Sequence, residues 1–391
     1  MTTPTPTEDG RPKLRLAEFS TIPEGLDYAA LGAAGANFYS IKGELIEALN
    51  YRALSEEAKA LAQRLLGGGF KAGERIGLVA ETEGDFLRLF FACQYARLVP
   101  VPLPLPQAFG GKGGYIGHLR GMMEGSGAVA LFGPAALLPM MNDAAAGLGL
   151  RLCDTIAALD AFPAGHPLEA ARDSDIAYIQ FSSGSTRFPL GVAVTHHAVL
   201  SNCEAIAKYG LEIHRGDRCT SWLPFFHDMG LVGFALTPVL TQMSVDYLAT
   251  RDFARRPLQW LHLLAANKGS LSFSPSFGYD LCARRAQSAP LNGVDLSSWR
   301  AAGIGGDMVR GGVLKRFAES FAPNGFRAEA FVPSYGLAEA TLAMSFAPLD
   351  RGLQTDTIDL NALEQDNLAT PADPASAPRA REVRSRSRNS G

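Results

Sequence analysis

Short apolar runs of strand length alternate with amphipathic helical patterns over the first hundred residues, and this alternation constrains the chain more than any other feature. Leu54, Ala58, Leu61 and Leu65 recur at helical spacing, with Ser55 as the expected cap, Glu56 and Glu57 in the first turn, and Gly67-Gly68-Gly69 ending the run. A strand follows at Ile76 to Ala80, then a second helical pattern through Phe86, Phe90 and Phe91, then the run from Val99 to Pro104. Buried strands separated by helices argue for an α/β fold with a largely parallel sheet. The prolines of the last run place it at a sheet edge or in a loop. The alternation resumes with a strand at Ile176 to Phe181, a helix from about His197 to Ala207, a strand at Cys219 to Leu223, and further βα units up to about Met344.

A chain of 391 residues can bury a core without disulfide or metal staples. Lys+Arg 36 against Asp+Glu 39 leaves a net charge of −3, which does not suit a nucleic-acid-binding chain. The five cysteines are odd in number and widely spaced without a C-x-x-C pair, so they read as reduced thiols of a cytoplasmic protein. Pro134 and Pro139 interrupt one long uncharged run, and Gly233 and Pro238 the other, so no membrane span is expected. No repeat of solenoid period is found.

Three loops can carry chemistry. Ser182-Ser183-Gly184-Ser185-Thr186-Arg187, directly after the Ile176 strand, offers backbone N–H groups and hydroxyls that can wrap a phosphate. It lacks the glycine spacing and the Lys before Ser/Thr of a Walker loop, and by composition alone an ordinary polar turn is as good a reading. The run Ser221 to Gly230 puts His227 and Asp228 between aromatic residues and a glycine-containing apolar stretch. Pro333 to Thr341 places Tyr335, Gly336 and Glu339 at an expected strand end, where ligands sit in open α/β sheets. Taken singly, His227 reads as a satisfied loop histidine and Glu339 as a helix-start carboxylate. Together, an anion cradle, an aromatic platform and a metal-competent carboxylate read as a nucleotide site, and the loops after Phe181, Leu223 and Pro333 are expected to converge on one cleft.

FSSGSTRFPLGV resembles the phosphate loop of the adenylate-forming ligases, SWLPFFHDMGL their histidine-bearing gate loop, and SYGLAEATL their adenine-and-magnesium motif. Within that superfamily the chain is most similar to fatty acyl-AMP ligases, through Arg187, LRLFFACQYARLVPVPLPLP, PSFGYDLCARR and HDMGL. The resemblance implies an AMP-binding core of two α/β subdomains interleaved over residues 21–346, after a disordered lead of 1–20. An insertion-like segment would follow at 347–378. The end, with five arginines from Arg379 onward, would be a disordered tail over 379–391, with disorder expected from about residue 366.

The implied reaction joins a fatty acid to the α-phosphate of ATP, releases pyrophosphate, and later passes the acyl group to the phosphopantetheine arm of an acyl carrier protein. By position in the motifs, Ser182, Ser183, Gly184, Ser185 and Thr186 would hold the β- and γ-phosphates, and Glu339 would ligate Mg²⁺. Tyr335 would stack on adenine, with Gly336 letting the base approach. Gly306 and Asp307 would line the adenine pocket, and His227 would sit where carboxylate and α-phosphate meet. Met229, Gly230 and Phe277 are candidates for the acyl tunnel.

Two departures accompany the resemblance. Leu190 stands where the family carries a phosphate-facing lysine, and the family's ribose aspartate, hinge and lysine-bearing small C-terminal domain are not found in these residues. The expectation is the N-terminal portion of a fatty acyl-AMP ligase. The alternatives are a non-catalytic remnant that holds ATP or a fatty acid, and a long-chain acyl-CoA ligase.

Overall fold

The computed structural model describes residues 12–106, 111–182, 190–289, 291–372 and 380–383. The first amphipathic pattern forms the helix Tyr51–Gly67, whose inward face is Tyr51, Leu54, Ser55, Ala58, Ala62 and Leu65. Its cap is Asn50, whose side chain accepts the Ala53 N–H, and not Ser55 as the sequence suggested. Ser55 lies inside the helix, buried, and donates to Asp27 Oδ1 at 2.9 Å beside the Tyr95 hydroxyl. Leu61 is half-buried, and Ala62 takes the core position instead.

The strand Arg75–Val79 lies between Val99–Leu103 and Ala128–Phe132, with Leu152–Asp154 beyond, all parallel. Val99–Leu103 sits at the edge of this sheet, as Pro100 and Pro102 require, because neither can donate to a second neighbour. Ile76, Leu78, Val79, Val101, Leu103, Leu131 and Phe132 are buried, as in a sheet covered on both faces. The helix Gly84–Tyr95 connects Arg75–Val79 to Val99–Leu103.

Contacts divide the described residues into two units, the first up to Leu263 together with Leu337–Leu342, the second Leu264–Gly336 with Ala343 onward. The first unit also holds the parallel strands Arg218–Ser221, Ser244–Leu248 and Gly35–Tyr39, with Leu45–Asn50 antiparallel at the end. Arg218 grips the fully buried Asp246 through two nitrogens, and Asn37 adds a third bond at 2.9 Å, so one carboxylate joins three strands. The second unit contains the parallel strands Leu271–Ser274, Ala301–Ile304 and Phe331–Gly336, with Ala343–Phe346 antiparallel to the last. Its core is an aromatic cluster of Tyr279, Trp299, Phe317, Phe326 and Phe331.

The strand Ile176–Phe181 forms where expected and pairs antiparallel with Gly191–Thr195. The expected helix near His197 spans His196–Ala205, capped by Thr195, and widens into a π turn over Ile206–Gly210. The strand expected at Cys219 to Leu223 is Arg218–Ser221. Toward the end, Asp356–Asp359 pairs antiparallel with Ala380–Val383, and Ile358 bridges Pro371, so the described part of the segment expected to be disordered carries backbone pairing. All five cysteines are free thiols. Among the described residues no helix is long and apolar enough to cross a membrane.

His196 links two helices of the first unit. The Ile22 N–H, at the start of Ile22–Ala29, donates to His196 Nδ1 at 3.2 Å, and the ring is 2% exposed. Burial lowers the imidazole pKa to about 4, because the charged form would lose both its solvation and its acceptor role. The folded value lies below the unfolded one, so this contribution is complete above about pH 6.5 and disappears as pH falls toward 4. His196→Asn is expected to lower stability by roughly 1–3 kcal/mol at pH 7 through lost ring packing and the disturbed acceptor for the Ile22 N–H, with the difference shrinking toward pH 4.5 as unfolded wild type takes up a proton that the folded protein resists. Chemical denaturation of both proteins across that range measures it.

Candidate functional site

The His227 loop leaves the strand Arg218–Ser221 through buried aromatic anchors. Trp222 stacks on Phe253 at 3.8 Å between ring centroids, Phe225 stacks on Phe86 at 5.1 Å, and the Trp222 carbonyl accepts from Thr250 Oγ1. The Leu223 N–H donates to Ser221 Oγ at 3.1 Å. With both rings fixed, Phe226 and His227 emerge half-buried at the end of the loop. His227 stands at the residue before the next helix, and its Nδ1 lies 2.7 Å from Asp228 Oδ1 and 3.3 Å from the Met229 nitrogen. The shorter approach fits an Nδ1–H donating to the carboxylate, which leaves Nε2 clear of both partners. Asp228 Oδ1 also accepts the Met229 N–H at 2.7 Å, so the carboxylate that orients the ring is itself held.

Gly230 permits this turn. A Cβ there would lie 2.1 Å from the Pro224 carbonyl oxygen, which accepts the His227 N–H at 3.2 Å. Met229, 7% exposed, and Gly230 are buried in the first turn of that helix.

The strand Ile176–Phe181 meets the same loop. Gln180 Nε2 donates to the Phe226 carbonyl at 2.6 Å. Tyr178, on the same strand face, has its phenol pushed well above the ordinary range by burial, with Cys203 and Asp228 adding to the shift. Ser182 follows the strand, and its N–H donates to the Leu190 carbonyl at 2.9 Å, closing the base of the Ser/Thr loop. Ser183, Gly184, Ser185 and Thr186 lie outside the described residues. Leu190 is 65% exposed and supplies no charge.

The Leu337–Leu342 segment belongs to the first unit and packs against the helix that His227 begins, with Leu342 Cδ2 3.4 Å from the Cβ position of Gly233. It is a closed loop, with the Leu337 N–H on the Leu342 carbonyl and the Leu342 N–H on the Ala340 carbonyl. Thr341 takes φ +72° at its neck, a conformation costly for a β-branched residue and of the kind that functional sites retain. Glu339 projects from it, exposed, and makes no ion pair among the described residues. No group of three or more His, Cys, Asp or Glu side chains could hold a metal ion among the described residues.

In the second unit, Tyr335 is 61% exposed at the end of Phe331–Gly336, with Gly336 half-buried after it. Gly306 and Asp307 are exposed after Ala301–Ile304, and Asp307 Oδ1 accepts the Met308 N–H. Phe277 is 46% exposed near the start of Ser276–Ala286. Within the first unit, therefore, the Ser182 strand, the His227 loop and the Glu339 loop are brought together through Gln180 and Leu342. Sequence reading missed Gln180 and Thr341, and it noted Asp228 beside the histidine without giving it a role.

The family model for AMP-binding enzymes matches residues 35–363. The chain belongs to that family. Among the relatives of this chain is a Caulobacter vibrioides protein provisionally named an acyl-CoA synthetase, 49% identical over 378 residues, covering 97% of this chain and 66% of the relative. The long-chain-fatty-acid–AMP ligase FadD32 of Mycolicibacterium smegmatis is 32% identical over 338 residues, 82% of this chain and 51% of that protein. A solved structure from a study of fatty acyl-adenylate ligases of E. coli and L. pneumophila superposes with TM-score 0.91 at 44% identity, over 94% of this chain and 66% of the other. The L. pneumophila fatty acyl-adenylate ligase in complex with acyl adenylate and pyrophosphate gives 0.84 at 28% identity, over 95% of this chain and 65% of that one. The chain thus spans about half to two thirds of the length of these relatives.

Gly230→Ala is expected to cost about 1–3 kcal/mol, because the added methyl meets backbone that cannot rotate away. Thermal denaturation measures the loss, and an unchanged midpoint would mean that the Pro224 turn can yield.

Proposed function

We propose that this chain carries the nucleotide and acyl sites of a fatty acyl-AMP ligase. The protein joins a fatty carboxylate to the α-phosphate of ATP, releasing pyrophosphate, and the acyl group then passes to the phosphopantetheine thiol of an acyl carrier protein. The observation that carries this reading is the junction in the first unit, where the strand leading into the Ser/Thr loop is bonded to the loop of an Asp-oriented histidine. Relatives named as a long-chain-fatty-acid–AMP ligase and as a medium-chain-fatty-acid–acyl-carrier-protein ligase support the choice of an acyl substrate.

In this reading Ser182 to Thr186 bind the β- and γ-phosphates through hydroxyls and backbone amides. With the ring protonated on both nitrogens, His227 donates through Nδ1 to Asp228 and through Nε2–H to the oxygens of the carboxylate and α-phosphate, so its orientation is settled before substrates arrive. Glu339 suits Mg²⁺, because it is an exposed carboxylate without a counter-cation and Mg²⁺ is commonly held by one or two carboxylates with substrate phosphates. Bound Mg²⁺ supplies charge neutralisation on the phosphates. Tyr335 offers an exposed ring to adenine beside Gly336, with Gly306 and Asp307 at the pocket wall. Met229 and Gly230 on the first unit, and Phe277 on the second, remain the candidates for acyl contact.

A second reading, binding without turnover, is favoured by Leu190, which puts an exposed apolar side chain where the resemblance calls for a cation. The two readings separate on measurement. Calorimetry of the chain with a non-hydrolysable acyl-sulfamoyl adenosine of eight to sixteen carbons is expected to show binding tighter than MgATP alone. Glu339→Ala should abolish the Mg²⁺ dependence of ATP binding. Leu190→Lys should tighten MgATP by about tenfold, near 1.4 kcal/mol. Fatty-acid-dependent pyrophosphate exchange that Leu190→Lys leaves unchanged would discard the second reading, and no binding at any acyl length would discard the first.

A further inference from the structure

We infer that Gln180 is a positioning residue for His227, acting as the latch that sets the imidazole loop against the strand feeding the phosphate loop. The inference rests on the proposed role of His227 and adds a residue to it. Gln180 is 1% exposed and sits two residues before Ser182. Its amide nitrogen donates to the Phe226 carbonyl at 2.6 Å, with a long second contact to the Phe181 carbonyl at 3.5 Å. Phe226 immediately precedes His227, so this bond, together with the His227 N–H on the Pro224 carbonyl, sets the backbone from which the ring projects.

Packing alone would not select a glutamine here. The side chain is buried, and the Gln180 carbonyl Oε1 has no hydrogen-bond partner among the described residues. A buried acceptor left unpaired is a cost that an apolar side chain of the same length avoids. Among the described residues the donor half is the part of the amide that is engaged. The anchors on either side point the same way. Phe225 is locked against Phe86 and Tyr247, and Asp228 is locked by the Met229 N–H, so Phe226 is the joint between two fixed points. Loss of the Gln180 bond frees that joint while leaving both anchors intact. A shift of about 1 Å in a reacting group can cost on the order of 100-fold in rate.

The test compares wild type with Gln180→Met, which keeps length and burial and removes both the donor and the unpaired acceptor. The ring signals of the chain labelled in its seven histidines report on His227, identified by their loss in His227→Gln. Wild type is expected to give one His227 ring environment with Nδ1 protonated. Gln180→Met should broaden or split it with the melting temperature little changed, and adenylation should lose 10- to 100-fold in kcat with KM for ATP and fatty acid within about threefold. A His227 signal unaltered in Gln180→Met overturns the inference, as does a kcat loss that only tracks a lower melting temperature. If wild type shows no adenylation while the ring signal still responds, the latch stands and the ligase reading fails. If wild type turns over and the variant changes neither readout, the ligase reading stands and the latch fails.

Discussion

Because parallel neighbours cannot be joined by a tight turn, the chain must leave each strand such as Arg75–Val79 and come back through a helix before pairing again. That necessity gathers the strand-to-helix loops at the carboxyl ends of the strands, where backbone groups no longer have ladder partners. Loops so placed are free to present hydroxyls, amides and charged groups to a ligand. In the first unit, the Trp222–His227 loop is such a connection, following a parallel strand and opening a helix. The antiparallel pair Ile176–Phe181 and Gly191–Thr195 breaks the pattern and holds the Ser/Thr loop between its two strands.

Around this scaffold the site is pinned by few interactions of uneven strength. The aromatic stacks of Trp222 and Phe225 bury large surfaces and hold the base of the histidine loop. Its tip is set by polar bonds, one from Gln180 and the pair between His227 and Asp228. Thr341, at φ +72°, places its stress in the loop that carries Glu339 and not in the surrounding strands. The exposed Leu190 is the feature least suited to phosphate chemistry, and nothing in the structure explains why it stands there.

Sequence-level inference succeeds where a local period decides the outcome and fails where a distant partner does. Apolar runs are enough to locate Ile176–Phe181 and the helices near Leu54 and Phe86, because burying a strand or a helix face imposes its own repeat. Ser55 reads wrongly as a cap because its partners, Asp27 and Tyr95, lie 28 and 40 residues away. Gln180 escapes notice for the same reason, its acceptor being 46 residues further on. Pairing of Asp356–Asp359 with Ala380–Val383 is also out of reach, since the arginine-rich composition there argues for solvent.

Composition and periodicity therefore determined the α/β class, the order of the elements and the three motif loops, since these follow from side-chain polarity and spacing along the chain. The family belongs with them, since the motifs stand in their order in the linear text. Tertiary structure decided which carbonyl Gln180 holds, which nitrogen of His227 faces Asp228, and how the Glu339 loop closes through Thr341. Those are hydrogen-bond choices among groups of equal chemical type, and only the folded distance between them selects one partner over the others.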